Sequence, residues 1–319
     1  MRRLFSKAIV TWLALGFPLS WHKSSIGAAV DWIGLDSHIK SNCVEVTVPE
    51  VKLAELQQLT TDIQRHTVIT LKALRSYTGK VQSIASLLHV LRPFVGELWA
   101  ALHSRSRAPR RHIWRKQVRH TLRWLKAFLH GQILGGITRK LYLDAYFNRG
   151  RRVQVVSDAS PWGLGAVRLV DGVAVSWLSI PIGTNDSRTL QVQTGSSSGQ
   201  PVWEALTVLI AMRGWLPVWR EARTSVAIRT DNITTISMLI KVKGTSPALR
   251  RIAKELALDL AEGTYEPDAV EHTPGVQNTV ADVLSRRYEP GRQWAVPEIL
   301  HAVAEFVPPA RPRSWWRSL

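Results

Sequence analysis

The sequence predicts an α/β protein: a mixed sheet with helices packed on it in the second half of the chain, preceded by a mostly helical region that carries one small β-hairpin. Three observations lead there. Short apolar runs separated by turn residues crowd between residues 153 and 178, helical and strand-like runs alternate from there to residue 286, and apolar residues recur at helical spacing between residues 53 and 88. A chain of 319 residues exceeds one ordinary domain of about 100 to 150 residues, so two compact units are expected. Apolar residues make up 45% and charged residues 21%, the balance of a chain that folds rather than of a disordered polyelectrolyte. The single cysteine, Cys43, excludes an internal disulfide framework and a cysteine-rich zinc site, and fits a reducing compartment.

At the amino end, Arg2, Arg3 and Lys7 precede an apolar run from Ala8 to Leu19, with Gly27, Ala28 and Ala29 beyond, which mimics a secretion signal. Trp12, Gly16, Pro18 and Trp21 interrupt the run, and it is too short to cross a bilayer, so a folded segment is expected instead. Val44, Val46 and Val48 alternate with Glu45 and Thr47, which places a hairpin across residues 30–48. After Pro49, Leu53, Leu56 and Ile63 share one helix face. A second helix follows with Leu74, Tyr77, Val81, Ile84 and Leu88, and Pro93 breaks or kinks it.

Composition shifts around Asn148, Arg149 and Gly150, the expected linker. Val153, Val155 and Val156 make a strand that ends at Asp158. Leu164–Val170 makes a second, and the Asp171-Gly172 turn leads into a third from Val173 to Leu178, an antiparallel meander. Residues 183–199, rich in Ser, Thr and Gly, read as a mobile surface loop, and Pro201 opens an almost wholly apolar helix to Met212. A strand from Val226 to Thr230 ends at Asp231, a short helix follows, and a longer one spans Pro247–Ala261. A strand at Ala269–Glu271, the Pro274-Gly275 turn and a final helix opened by Asn278 complete the sheet and its cover. The organisation expected is 1–48, 49–147, 148–290 and a carboxyl-terminal tail over 291–319.

Four acids stand out by their neighbours. Asp158 and Asp231 end apolar strands and emerge at sheet ends; Glu204 lies among Val202, Trp203, Ala205 and Leu206; Asp282 lies among Ala281, Val283 and Leu284. A buried ionised carboxylate is costly unless a cation or a donor compensates it. Several carboxylates converging on Mg²⁺, or Mn²⁺, suit phosphodiester chemistry, since hard oxygen ligands favour these ions over zinc. Each acid also has a structural role open to it, as a turn residue, a helix cap or a first-turn acid favoured by the helix dipole.

The net charge of +18 points to a polyanionic partner, nucleic acid first. It concentrates between Ser104 and Lys126, where Arg105, Arg107, Arg110, Arg111, Arg115, Lys116, Arg119 and Arg123 occur with no acid among them. That run suits a phosphate backbone, with Trp114 and Trp124 available to stack on bases; a solvated helix face is the alternative.

Ser157-Asp158-Ala159-Ser160 with Gly163 and Gly165, then Trp203-Glu204-Ala205, Thr230-Asp231-Asn232, and the stretch from His272 to Arg286, in that order over residues 152–290, resemble the ribonuclease H domain of retrotransposon polyproteins. The resemblance implies a ribonuclease H-like sheet, two Mg²⁺ ions held by Asp158, Glu204, Asp231 and Asp282, and cutting of the RNA strand of an RNA/DNA hybrid. Upstream, Leu19-Ser20-Trp21, Ser25-Ile26-Gly27, Trp32-Ile33-Gly34-Leu35 and Leu74–Phe94 look like the end of a reverse transcriptase palm with its thumb and connection helices. No Tyr-x-Asp-Asp polymerase motif is present, since Tyr142-Leu143-Asp144 runs on into Ala145, so polymerase activity of this polypeptide alone is not expected. His272 is assigned a structural role beside the Pro274-Gly275 turn.

The expectation is thus a Mg²⁺-dependent ribonuclease H, intracellular, not secreted and not membrane-bound, acting on a hybrid, with a separate polymerase region as a candidate partner. Its rival is a catalytically silent nucleic-acid-binding remnant of a transposable element. Salt-sensitive binding without hydrolysis separates the two.

Overall fold

The alternation at residues 43–48 becomes one strand of a larger sheet than the hairpin expected. The protein is described by a computed structural model covering residues 2–318 except 19, 22–24, 26, 33, 105–107, 134, 144–146, 148–151, 223–224 and 263–265. A helix, α1 (Arg2–Ala14), precedes β1 (Ala29–Trp32), β2 (Leu35–Ile39) and β3 (Cys43–Thr47), an antiparallel meander. Helices α2 (Glu50–Arg65), α3 (Leu71–Ala85), α4 (Arg92–His103) and α5 (Arg115–Leu129) follow. A short ribbon, β4 (Val68–Thr70) with β5 (His112–Trp114), ties the starts of α3 and α5 together. Then β6 (Thr138–Tyr142) returns to pair with β3, giving the order β1-β2-β3-β6. Its sequence, Thr-Arg-Lys-Leu-Tyr, shows no apolar alternation because it is an edge strand with no fully buried residue, and this hid it from a periodicity search.

Pro93 does not kink a single helix. The chain leaves α3, makes a 3-10 turn at His89–Leu91, and starts α4 with Pro93 in its first turn, where the missing N–H has no partner to lose. Leu56, Leu74, Tyr77, Phe94, Leu98, Leu122 and Phe128 fill the core between these helices. The expected linker at 148–150 lies outside the described residues.

In the second half β7 (Val153–Ala159), β8 (Gly163–Val170) and β9 (Val173–Pro181) form the antiparallel meander expected. The turn between β8 and β9 has positive φ at both Asp171 and Gly172, as a twisted two-residue hairpin turn demands. β10 (Ser225–Thr230) then pairs parallel to β7, and β11 (Glu266–His272) parallel to β10. The order β11-β10-β7-β8-β9 is a mixed sheet with helices packed on it, as expected, with β7 at its centre.

The stretch expected as a loop over 183–199 instead holds a helix, α6 (Thr184–Leu190), and a 3-10 turn at Ser197–Gly199. Polar composition concealed the helix, because what stabilises it is remote. Buried Asp186 accepts from the Gly183 N–H at 3.0 Å and from the Arg311 guanidinium at 2.7 Å.

α7 (Gln200–Gly214) is buried on every side from Val202 to Met212, consistent with its lack of a polar face. A short α8 (Leu216–Ala222) follows, and α9 (Ile233–Lys241) and α10 (Pro247–Ala261) come after β10. α10 serves both halves. Leu249, Ile252, Ala253 and Leu256 join the core of the five-stranded sheet, whereas Ala257, Leu258 and Ala261 join the core of the helical half. The last helix, α11 (Thr279–Ser285), lies against β7 and β8.

Several residues of 291–318 pack against the rest of the chain. The Phe306 N–H donates to the Trp177 carbonyl at 2.7 Å along the free edge of β9, Trp316 is buried, and the N–H groups of Arg317 and Ser318 donate to Glu255.

Candidate metal centre

Two neighbouring strands bring the first pair of acids together. Because β10 runs parallel to β7 in a register from Val226–Val153 to Arg229–Val156, Asp231, just past the end of β10, comes level with Asp158 near the end of β7. Carboxyl ends of parallel strands are the ordinary place for a site in an α/β sheet. Glu204 reaches the same spot from α7, which packs on β7. One carboxylate oxygen each from Asp158, Glu204 and Asp231 lie within 4.8 Å of one another.

The donors around this trio are neutral. Glu204 Oε1 accepts from the Ala159 N–H at 3.1 Å and from the Gln200 amide at 3.1 Å, and Oε2 accepts from the Thr230 hydroxyl at 3.3 Å. Asp158 Oδ2 accepts from the Ser285 hydroxyl at 2.6 Å. Burial pushes the Asp158 carboxyl up to about 7; the Ser285 hydrogen bond pulls it back, while the charges of Asp231 and Asp282 push it further. Burial raises Glu204 well above the ordinary range as well, with Asp158 and Asp231 adding to the effect. These are acids that water has left and that no side-chain cation among the described residues directly neutralises. Three clustered carboxylates, hard oxygen donors in a site that resists ionisation without a counter-charge, fit a Mg²⁺ or Mn²⁺ ion.

Asp282 stands beside this trio rather than in it. It lies in the first turn of α11, close enough for its charge to raise Asp158, but its Oδ1 accepts from Arg286 Nε at 2.7 Å. Asn278 precedes that helix as expected, yet its side chain caps nothing. Its amide donates instead to the Ser157 carbonyl at 3.1 Å, tying α11 to the strand that carries Asp158. His272 is exposed, and its Nε2 lies 3.1 Å from the Asp231 carbonyl oxygen.

Gln200, Thr230, Ser285 and Arg286 were not singled out from sequence. Ser285 and Arg286 lay inside the quoted 272–286 stretch, and Gln200 stands one helical turn before Glu204, the spacing at which helix side chains meet. Thr230 lay inside the quoted Thr230-Asp231-Asn232 motif.

The basic run divides. Arg105 and Arg107 lie outside the described residues. Arg110 and Arg111 are exposed just before β5, and Lys116, Arg119 and Arg123 are exposed on α5, where no ion pair engages them among the described residues. Arg115 is turned partly inward, donating to the Gln64 carbonyl. Trp124 is not free to stack on a base: it packs on Phe94 with ring centroids 6.0 Å apart, and its indole N–H donates to His120. Trp114 is half-exposed and carries the Lys116 ammonium 6.0 Å from its ring centre. Burial, then the charges of Lys254, Arg123 and Arg251, lower the pKa of His120, with Glu97 opposing, so basic residues of α10 adjoin α5, a neighbourhood that sequence separation concealed.

Among solved structures, the chain is similar to RNase H1 from the halophilic archaeon Halobacterium salinarum NRC-1, at 19% identity over 42% of this chain and 93% of that one, with a TM-score of 0.31. It is also similar to the foamy viral protease-reverse transcriptase dRH in complex with ds DNA, at 13% identity over 85% of this chain and 42% of that one, TM-score 0.29. The foamy viral protease-reverse transcriptase in complex with RNA/DNA hybrid is similar at 12% identity over 89% of this chain and 32% of that one, TM-score 0.28. This chain therefore spans less than half the length of either viral chain. No protein-family model and no curated protein matches it.

Proposed function

We propose that this chain is a retroelement-derived, Mg²⁺-dependent ribonuclease H that hydrolyses the RNA strand of an RNA/DNA hybrid. The observation that carries the proposal is the meeting of Asp158, Glu204 and Asp231, from two parallel strands and a buried helix, within 4.8 Å. Asp158, Glu204 and Asp231 would hold the cation, and Asp282, paired with Arg286, would be a fourth ligand for a second ion. When bound, such ions would supply Lewis-acid polarisation of the phosphodiester and neutralise the negative charge that builds on its oxygens. The chain's own residues orient and enclose. The Ala159 N–H, Gln200 and Thr230 hold Glu204 in place, and its helix neighbours Trp203, Ala205 and Leu206 are buried in the core.

The substrate side of the proposal is the exposed basic face, Arg110, Arg111, Lys116, Arg119 and Arg123, which tracks a phosphate backbone by charge rather than by sequence; Arg105, Arg107 and Arg115 of the same run are proposed as further phosphate contacts. In this proposal residues 1–48 are a palm remnant, 49–147 a thumb and connection region, and 148–290 the nuclease. The protein acts inside the cell, and a separate polymerase region is its partner. Incubating the purified chain with labelled hybrid and Mg²⁺ tests the proposal. Cutting that disappears in Asp158→Asn is expected; no cutting, or equal cutting by the variant, overturns it, and salt-sensitive binding without hydrolysis under any metal leaves a nucleic-acid-binding protein only.

A further inference from the structure

We propose that Ser285 is a positioning residue of the metal centre: its hydroxyl fixes one carboxylate oxygen of Asp158 and so presents the other to the cation, an inference that rests on the metal-dependent function proposed above. Two glycines set the geometry. A Cβ on Gly165 would lie 2.5 Å from the Ser285 nitrogen and 2.6 Å from the Ala281 carbonyl oxygen, and one on Gly163 would be closer still to the Ser285 carbonyl oxygen. No side chain tolerates such distances, so glycine at both positions lets the last turn of α11 lie directly on β8.

Two serines then pin that turn. Ser160 Oγ donates to the Ser285 carbonyl at 2.7 Å, and Ser179 Oγ donates to the Leu284 carbonyl at 2.7 Å. With its backbone held and its side chain wholly buried, Ser285 has two acceptors in reach, Asp158 Oδ2 at 2.6 Å and the Asp282 carbonyl oxygen at 2.9 Å. One hydroxyl proton serves one acceptor at a time, and an ionised carboxylate is the stronger. Oδ2 of Asp158 is thereby engaged, and no hydrogen bond from the described residues reaches Oδ1. A carboxylate with one oxygen tethered cannot rotate freely about its Cβ–Cγ bond and offers the other in one direction, as outer hydrogen-bond partners of metal ligands generally ensure. The motif around Asp158, with Gly163 and Gly165, and the motif around Asp282 are therefore coupled through one hydroxyl.

Ser179 supplies the control, since its hydroxyl clamps the same turn without touching a carboxylate. Calorimetric titration of the full chain with Mn²⁺ compares the wild type, Ser285→Ala and Ser179→Ala, with thermal unfolding of each recorded alongside. Ser179→Ala is expected to lose stability and keep its Mn²⁺ affinity, whereas Ser285→Ala loses about tenfold or more. Ser285→Cys, close in volume and a weaker donor, falls between. Equal affinities in the two alanine variants overturn the proposal. If Ser285→Ala does not fold, wild-type affinity in Ser285→Cys overturns it instead. A wild type that binds no Mn²⁺ sinks the metal-dependent function itself, and the role of Ser285 with it.

Discussion

Two groups of buried acids in this molecule are settled in opposite ways. Behind α7, Glu255 and Asp259 of α10 meet Arg213, which donates to Glu255 at 2.6 Å and to Asp259 at 2.7 Å. Arg317 adds a contact to Asp259 at 3.4 Å, and the N–H groups of Arg317 and Ser318 complete the shell of Glu255 at 3.0 and 2.7 Å. Arg213 holds its proton more tightly as a result; burial still lifts Asp259, with Arg213 pulling it back. At the other group, Asp158 and Glu204 are buried comparably, yet their hydrogen bonds come from a serine, a threonine, an amide and a backbone N–H. Among the described residues, side-chain cations contact the first group and none directly contacts the second. A structural cluster neutralises itself; one that leaves its charge uncompensated is open to a cation from solution.

The sharpest way to break this contrast is to neutralise one acid in each group. Glu255→Gln leaves Arg213 paired with Asp259 but takes a charged acceptor from Arg213 and from the Arg317 and Ser318 N–H groups, and is expected to cost about 1.5 to 3 kcal/mol of stability. Glu204→Gln removes an uncompensated charge and should leave the metal-free protein as stable or more so. Thermal unfolding in a chelator reads both, and equal losses would erase the distinction.

Activity and metal-linked stability come next. Asp158→Asn is expected to reduce hybrid cleavage by at least about 100-fold, since a lost ligand should exceed the effect of a lost outer partner. Mg²⁺ at 100 times its Kd should stabilise the wild type by about 2.7 kcal/mol and the Asp158→Asn protein by far less. Cleavage assays and melting curves against Mg²⁺ concentration check these.

A smaller effect concerns pH. Asp158 moves from an ordinary 3.8 to about 7 in the folded, metal-free protein, so the folded state binds this proton more tightly than the unfolded one. Its contribution to stability is intact below pH 3.8 and is lost as pH rises through 7. The difference in melting temperature between wild type and Asp158→Asn in chelator should therefore grow against the wild type from pH 4 to pH 8, and Mg²⁺ should remove the trend. A difference that stays flat in chelator would contradict the burial that sets this value.

The smallest expected effect lies on α5. The double variant Arg119→Gln/Arg123→Gln should lower the slope of log affinity against log salt for a hybrid by about 2 without altering Mn²⁺ binding. An unchanged slope would make that face a solvated helix surface.

Why the acids of one group were legible in sequence and those of the other were not follows from the same contrast. Asp158 and Asp231 each end an apolar strand, and Glu204 sits in a helix with no polar face, so each contradicts its neighbours. Glu255 and Asp259 fall in an amphipathic helix with a lysine and arginines near by, where acids attract no notice, and their partner Arg213 is 42 and 46 residues away. The same distance effect concealed α6, held through Asp186 by Arg311, and the seating of α11 on Gly163 and Gly165. The meander, the parallel strands and α10 were legible because period and turn chemistry are local; β6, an edge strand among polar residues, was not.

Anomalous scattering from crystals soaked in Mn²⁺ tests most directly whether the uncompensated carboxylates take up a cation. A peak coordinated jointly by Asp158, Glu204 and Asp231, absent from crystals of Glu204→Gln, is the result expected. No peak there at saturating Mn²⁺, or a side-chain cation such as Arg286 lying between the three carboxylates in its place, would contradict it.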